Sequence, residues 1–146
     1  MPIIRDPNKM VSPAKEGAIK ALAACASMSV KVWVNETLRS QEVQNAYYAQ
    51  GREPLDNTNA KRKIAGLPPI TDAENKNIIT WTLKSKHSSG KAMDLYPIDK
   101  NGKVLWGGKK SDFQPIADII KPFGFDWGGD WDAKNLDLPH FEWKAT

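Results

Sequence analysis

A chain of 146 residues with a formal net charge of +4, 40% hydrophobic and 26% charged, has room for one sizeable core. It predicts a single domain over residues 1–146. No run approaches the ~18 consecutive apolar residues of a membrane span, and no arginine-rich tract with interleaved aromatics marks a nucleic-acid face. The basic balance, with an isoelectric point near 9.1, favours anionic surroundings such as cell-wall polymers, membrane surfaces or nucleic acid, or equally a solvated basic surface with no dedicated partner.

Met1 to Lys9 carries prolines and charges instead of an apolar stretch, so no signal peptide is expected. Ser12-Pro13 reads as N-cap and first helical residue, and Ile19, Leu22, Ala23 and Ala26 follow helical spacing. This predicts a helix over about 13–28. The single cysteine, Cys25, lies inside it as a buried small hydrophobe, and no intramolecular disulfide is possible. Val30, Val32 and Val34 alternate as a strand. Ser40 caps a second helix over about 41–50, and Gly51 stops it. Residues 51–76 are polar and broken by Pro54, Gly66, Pro68 and Pro69, which predicts a long loop with a short helix near 59–64.

Residues 78–83 and 92–98 read as strands. Asn101-Gly102 signals a hairpin with a return strand over 104–106. Ser111-Asp112-Phe113-Gln114 matches a capping box, Pro115 fits a first turn, and Ile116, Ile119, Ile120 and Phe123 give the helix its apolar face up to Gly124. Phe125 to Trp131 reads as an aromatic, glycine-rich loop, and 139–143 as a last strand. Helices come early and strands late, so the class is α+β with a small, largely antiparallel sheet. The chain's six tryptophans either fill the core or line a groove.

The chain has two histidines, His87 and His140. With Asp94 they supply two imidazoles and one carboxylate, the donor set of a zinc site that keeps a fourth position open for water. In a strand Asp94 shares a face with Ala92 and Tyr96, opposite the core-facing Met93 and Leu95. His87 is seven residues earlier, roughly 23 Å if extended, so the chain must double back through Ser88-Ser89-Gly90. Asp137, three residues before His140, is a candidate general base. Arg39, at a strand-to-helix junction, is a candidate oxyanion stabiliser. Glu142 is a competing base or a support for His140. Two histidines and an aspartate also occur by chance in soluble domains, Asp137 could be a turn residue and Arg39 a surface arginine. From the residues alone, both readings stand.

Ser85-x-His87-x-x-Gly90-x-Ala92-x-Asp94 resembles the signature of zinc D-alanyl-D-alanine peptidases, a family that includes phage endolysins cutting the L-alanyl-D-glutamate bond of peptidoglycan. Asp137-x-x-His140 is similar to the second signature, and Thr37-Leu38-Arg39-Ser40 with Gln41, Tyr47 and Gly51-Arg52 to the arginine-bearing block. The resemblance implies a central antiparallel sheet with helices packed on it (the zinc DD-peptidase, or hedgehog-like, fold). It implies zinc held by His87, Asp94 and His140, with Asp137 as base and Arg39 assisting. It also implies a substrate contact or ligand-orienting role for Ser85, peptidoglycan stem peptides as substrate, and no nucleic acid. Asp137, where carboxypeptidases usually have glutamate, points to the endolysin branch.

The expected protein is therefore a monomeric zinc endopeptidase made in a host bacterial cytoplasm. It would reach the wall from the periplasmic side only after a holin or equivalent opens the membrane. A D-alanyl-D-alanine carboxypeptidase on the same scaffold is the alternative. A non-catalytic module keeping a structural zinc is a third reading, disfavoured by the presence of both Asp137 and Arg39.

Overall fold

The computed structural model describes residues 3–144, so the first two and last two residues of the expected 1–146 domain lie outside the described ones. Its centre is a four-stranded antiparallel sheet in the order β1-β2-β4-β3, with β1 at Val32–Glu36, β2 at Ala92–Pro97, β3 at Phe125–Trp127 and β4 at His140–Trp143. The helices are α1 (Ala14–Ser27), α2 (Gln41–Ala49), α3 (Leu55–Ile64), α4 (Asp72–Asn75) and α5 (Lys110–Ile120). The architecture is α+β, as the pattern of elements predicts.

Alternation along the strands divides the sheet into two faces. Met93, Leu95, Phe125, Trp127 and Phe141 turn toward α1 and α5 and meet Phe113, Ile116 and Ile120. Each large apolar side chain fully buried there contributes about 1.5–3 kcal/mol. The other face carries Asp94, Tyr96, His140 and Glu142.

α1 buries a different stripe from the one expected. Its inward residues are Ala14, Gly17, Ala18, Ala21 and Cys25, while Ile19 is 40% exposed. The reason is close approach: a Cβ on Gly17 would lie 2.5 Å from the ring of Trp143. Small residues, not the largest ones, mark the packed side.

Residues 51–76 are not a loop. α3 and α4 occupy much of the segment, and α3 packs on α2 through Thr58 and Arg62. Those buried side chains are polar and satisfied by backbone oxygens, such as that of Pro68, which accepts from Arg62 Nε at 2.6 Å. No apolar stripe was there to read.

Residues 78–83 form no strand. Side chains of α2, and Arg52 just beyond it, take their backbone oxygens instead. Gln44 Nε2 donates to Thr82 O at 2.6 Å, Gln41 Nε2 to Leu83 O at 2.9 Å, and Arg52 Nη1 to Thr80 O at 3.0 Å. The Asn101-Gly102 turn closes, but the expected return strand reduces to one bridge, Ile98 to Val104. Trp106 leaves the ladder and packs on Tyr96, with ring centroids 4.8 Å apart. α5 starts at Lys110, before the expected Ser111 cap. The Asp112 carboxylate accepts from the Lys109 backbone N–H at 2.8 Å, and Pro115 sits exposed inside the helix. Residues 125–131, expected as a loop, include β3, whose Phe125 and Trp127 face the core.

Candidate metal centre

Register brings the centre together. Glu36 on β1, Asp94 on β2 and His140 on β4 are successive cross-strand partners. Neighbouring strands lie about 4.7–4.9 Å apart, so side chains in one such row are in reach of each other. His87 joins from outside the sheet. The turn over 86–90 returns the chain, with the Lys91 N–H donating to Lys86 O at 2.9 Å and Gly90 at φ +73°. A Cβ on Gly90 would also sit 3.1 Å from the Val11 backbone nitrogen. Both constraints call for glycine.

His87 Nε2 lies 3.1 Å from Asp94 Oδ1, and His140 Nδ1 lies 3.5 Å from the same oxygen. One donor atom from each of His87, Asp94 and His140 lies within 4.8 Å of the others, an arrangement that could hold a metal ion. His87 is buried, and its Nδ1 has no hydrogen-bond partner. The far nitrogen of His140 is held: Nε2 is 2.9 Å from Glu142 Oε1. A carboxylate behind an imidazole fixes its orientation and raises its basicity as a ligand. Trp131 rests against the His140 ring at 5.2 Å between centroids.

The charges are strongly coupled. Burial opposes ionisation of Asp94, but hydrogen bonds from His140 and His87 outweigh it and hold the carboxyl well below the usual range. Burial likewise opposes the charged form of His140, yet Asp94 and Glu142 push its pKa up to about 9. The His140 hydrogen bond lowers Glu142 in turn. Desolvation raises Asp137, and the nearby Asp94 charge adds to the rise.

Asp137 stands at the rim, exposed, on the loop that leads into β4. Its N–H donates to Gly128 O at 3.1 Å, and its own carbonyl accepts from the His140 N–H at 3.2 Å. A Cβ on Gly128 would be only 2.1 Å from the Asp137 carbonyl oxygen. That glycine lets the loop lie against the end of β3. Ser85 Oγ accepts from the His87 N–H at 3.1 Å, so its hydroxyl oxygen belongs to the turn that carries His87.

Arg39 is joined to the centre through its backbone, whose N–H donates to His87 O at 3.0 Å. Its guanidinium grips Glu36 with Nη2 at 2.5 Å and Nε at 3.2 Å, donates from Nη1 to Gln44 Oε1 at 2.9 Å, and lies 4.9 Å over the Tyr47 ring. Burial works against its charge, and Glu36 more than restores it. Three of the five N–H donors are thereby engaged and two remain. Glu36 and Gln44 were not among the residues expected from the sequence. Their signal is weak: Glu36 precedes Arg39 by three positions, and Gln44 lies one turn into a helix, where polar residues usually face solvent.

The family described as D-alanyl-D-alanine carboxypeptidase matches residues 79–143, which include the whole trio. The chain is also 30% identical over 151 aligned positions to the peptidoglycan L-alanyl-D-glutamate endopeptidase CwlK of Bacillus subtilis, covering 97% of this chain and 76% of that protein. The chain belongs to this peptidase family. A second relative of the family is the L-alanyl-D-glutamate peptidase of Listeria phage A118, 28% identical over 92% of this chain but only 38% of its own length. The fold is shared with the Serratia marcescens L-Ala D-Glu endopeptidase ChiX, at a TM-score of 0.59 and 19% identity over 94% of this chain and 83% of that one. It is also shared with VanYB crystallised with D-alanine-D-alanine, at 0.54 and 18% over 93% and 72%.

Proposed function

We propose that the protein is a peptidoglycan hydrolase that cleaves the L-alanyl-D-glutamate bond of stem peptides, with zinc held by His87, Asp94 and His140. The observation that carries the reading is the convergence of His87 Nε2, Asp94 Oδ1 and His140 Nδ1 at one face of the sheet, with Asp137 near enough to feel the charge of all three. Two imidazoles and one carboxylate suit zinc and leave room for water and substrate. Similarity to CwlK along nearly the whole chain favours the endopeptidase over a carboxypeptidase.

Zinc bound there supplies an acidified water and polarises the scissile carbonyl. Asp137 accepts the proton that the attacking water loses and returns it to the amine of D-glutamate as the C–N bond breaks. The products are a stem ending in an L-alanine carboxylate and a free D-glutamate amine. The Arg39 guanidinium, held in place by Glu36, Gln44 and Tyr47, keeps two unengaged N–H groups to stabilise the negative charge that develops on the carbonyl oxygen. Glu142 keeps His140 aimed at the metal. Ser85 shapes the turn beneath His87 and keeps a hydroxyl proton to offer substrate.

The chain acts as one monomeric catalytic domain. No helix among the described residues is long and apolar enough to cross a membrane. Together with the phage relative, this supports an endolysin made in the host cytoplasm that meets the wall after a holin opens the membrane. Digestion of purified sacculi followed by mass spectrometry tests the reaction. The expected products are muramyl-L-alanine and peptides beginning with a free D-glutamate amine. Release of terminal D-alanine alone would assign the carboxypeptidase reaction instead.

A further inference from the structure

Beyond Asp94, the face of the sheet that carries Asp94 and His140 continues as a row of rings. Tyr96 follows Asp94 by two residues on the same side of β2. Its cross-strand partner is Trp33 on β1, 37% exposed. Trp106, 58% exposed, leaves the hairpin to lie against Tyr96 with 4.8 Å between ring centroids. Tyr96 is itself anchored, its ring edge 5.9 Å from the buried Phe113. The Trp106 indole is thus held open beside a fixed phenol, while the Trp33 ring carries the Arg5 guanidinium 5.7 Å above it and donates its N–H to Asn35 Oδ1 at 3.3 Å. Rings of this kind, apolar on the face and polar at the tip, suit partners that are themselves half apolar and half hydroxylated.

We propose that Trp33, Tyr96 and Trp106 form a subsite for the amino-sugar ring that carries the stem peptide. The inference rests on the endopeptidase reading above and names what that site additionally grips. Lengths agree with it. In peptidoglycan the L-alanine is joined to the muramyl sugar through a lactyl group, so about two residue lengths separate the scissile carbonyl from the sugar. Two residues of strand advance about 6.6 Å, which is the step from Asp94 to Tyr96. Chemistry selects the same end of the substrate. The far side of the cleaved bond is a peptide of carboxylates and amines, for which uncharged rings are poor partners. The sugar side offers the C–H faces and hydroxyls that rings and an indole N–H accommodate.

The test compares two substrates of identical peptide sequence, one bearing the N-acetylglucosaminyl-N-acetylmuramyl disaccharide and one capped by a plain acetyl group. The wild-type protein is expected to favour the disaccharide-bearing substrate by about tenfold or more in kcat/KM. In Trp106→Ala and Trp33→Ala that preference is expected to fall toward unity, with unchanged thermal melts showing that the fold survives. Equal rates on both substrates for the wild type would overturn the subsite, as would variants that keep the full preference or lose activity on both substrates in equal proportion. Failure of the wild type to cut either substrate would instead remove the endopeptidase reading, and the subsite with it.

Discussion

Asp94 lies between two imidazoles and takes its charge state from both. In the metal-free protein His140, pushed up to about 9, is an imidazolium at neutral pH. A metal needs it neutral, so zinc uptake at pH 7 is expected to release about one proton per ion. Calorimetry in two buffers of different ionisation enthalpy reads that number directly. The sign for stability follows from the same shift. A raised folded-state pKa stabilises fully below the unfolded value of ~6.5 and loses that contribution as pH rises through about 9. Urea titrations of the metal-free protein should therefore show its stability falling across that window. Asp137 adds to the rise of His140 through its charge but is not one of the three clustered donors. Asp137→Ala is expected to lower kcat by about 10²–10⁴-fold while zinc content per chain, measured by atomic emission, stays at the wild-type level. Glu142 acts through His140, and Glu142→Gln should weaken zinc binding by about 10–100-fold in a competition titration with a chelating dye.

Among the elements, β2 carries the most consequence, because one strand sets both faces. Its alternation is legible in the sequence: Met93 and Leu95 point to the core, Asp94 and Tyr96 away from it. So is the need for a reversal at Gly90, which φ +73° meets. The stretches that misled have physical causes. α3 buries Thr58 and Arg62, so hydrophobic periodicity had nothing to detect. Residues 78–83 alternate like a strand, yet Trp81 is 79% exposed and α2 side chains occupy the backbone oxygens that a ladder would use. Gln44 is the hinge between that segment and the arginine. It is fully buried and bonds Arg39, Thr80 and Thr82. Gln44→Ala strands those partners, at a cost of about 1–3 kcal/mol. Denaturant midpoints should fall accordingly, and kcat should drop further than metal affinity does.

For the molecule as a whole, a metal held by the trio would couple binding to folding through three separated pieces of chain: the 86–90 turn, β2 and β4. On the proposed ligand set the site would join groups from across the sheet, so zinc is expected to raise the melting temperature in proportion to the logarithm of its free concentration above Kd. A chelator should reverse the shift. The trio was legible as a set because the chain has only two histidines, and its partners were not. Glu36 reads as an ordinary surface acid until the β1–β2 register sets it opposite Asp94, and Trp131 is an unremarkable loop residue until it meets His140. Long-range register is a property of the folded chain, and local spacing does not encode it.

The segment 78–84 is fastened by side chains of α2 and by Arg52 just beyond it, and takes no part in the sheet. Its sequence is therefore nearly independent of the strands that carry Asp94 and His140. Over generations such a segment can be exchanged, lengthened or recoloured with new side chains while the reaction centre is inherited intact.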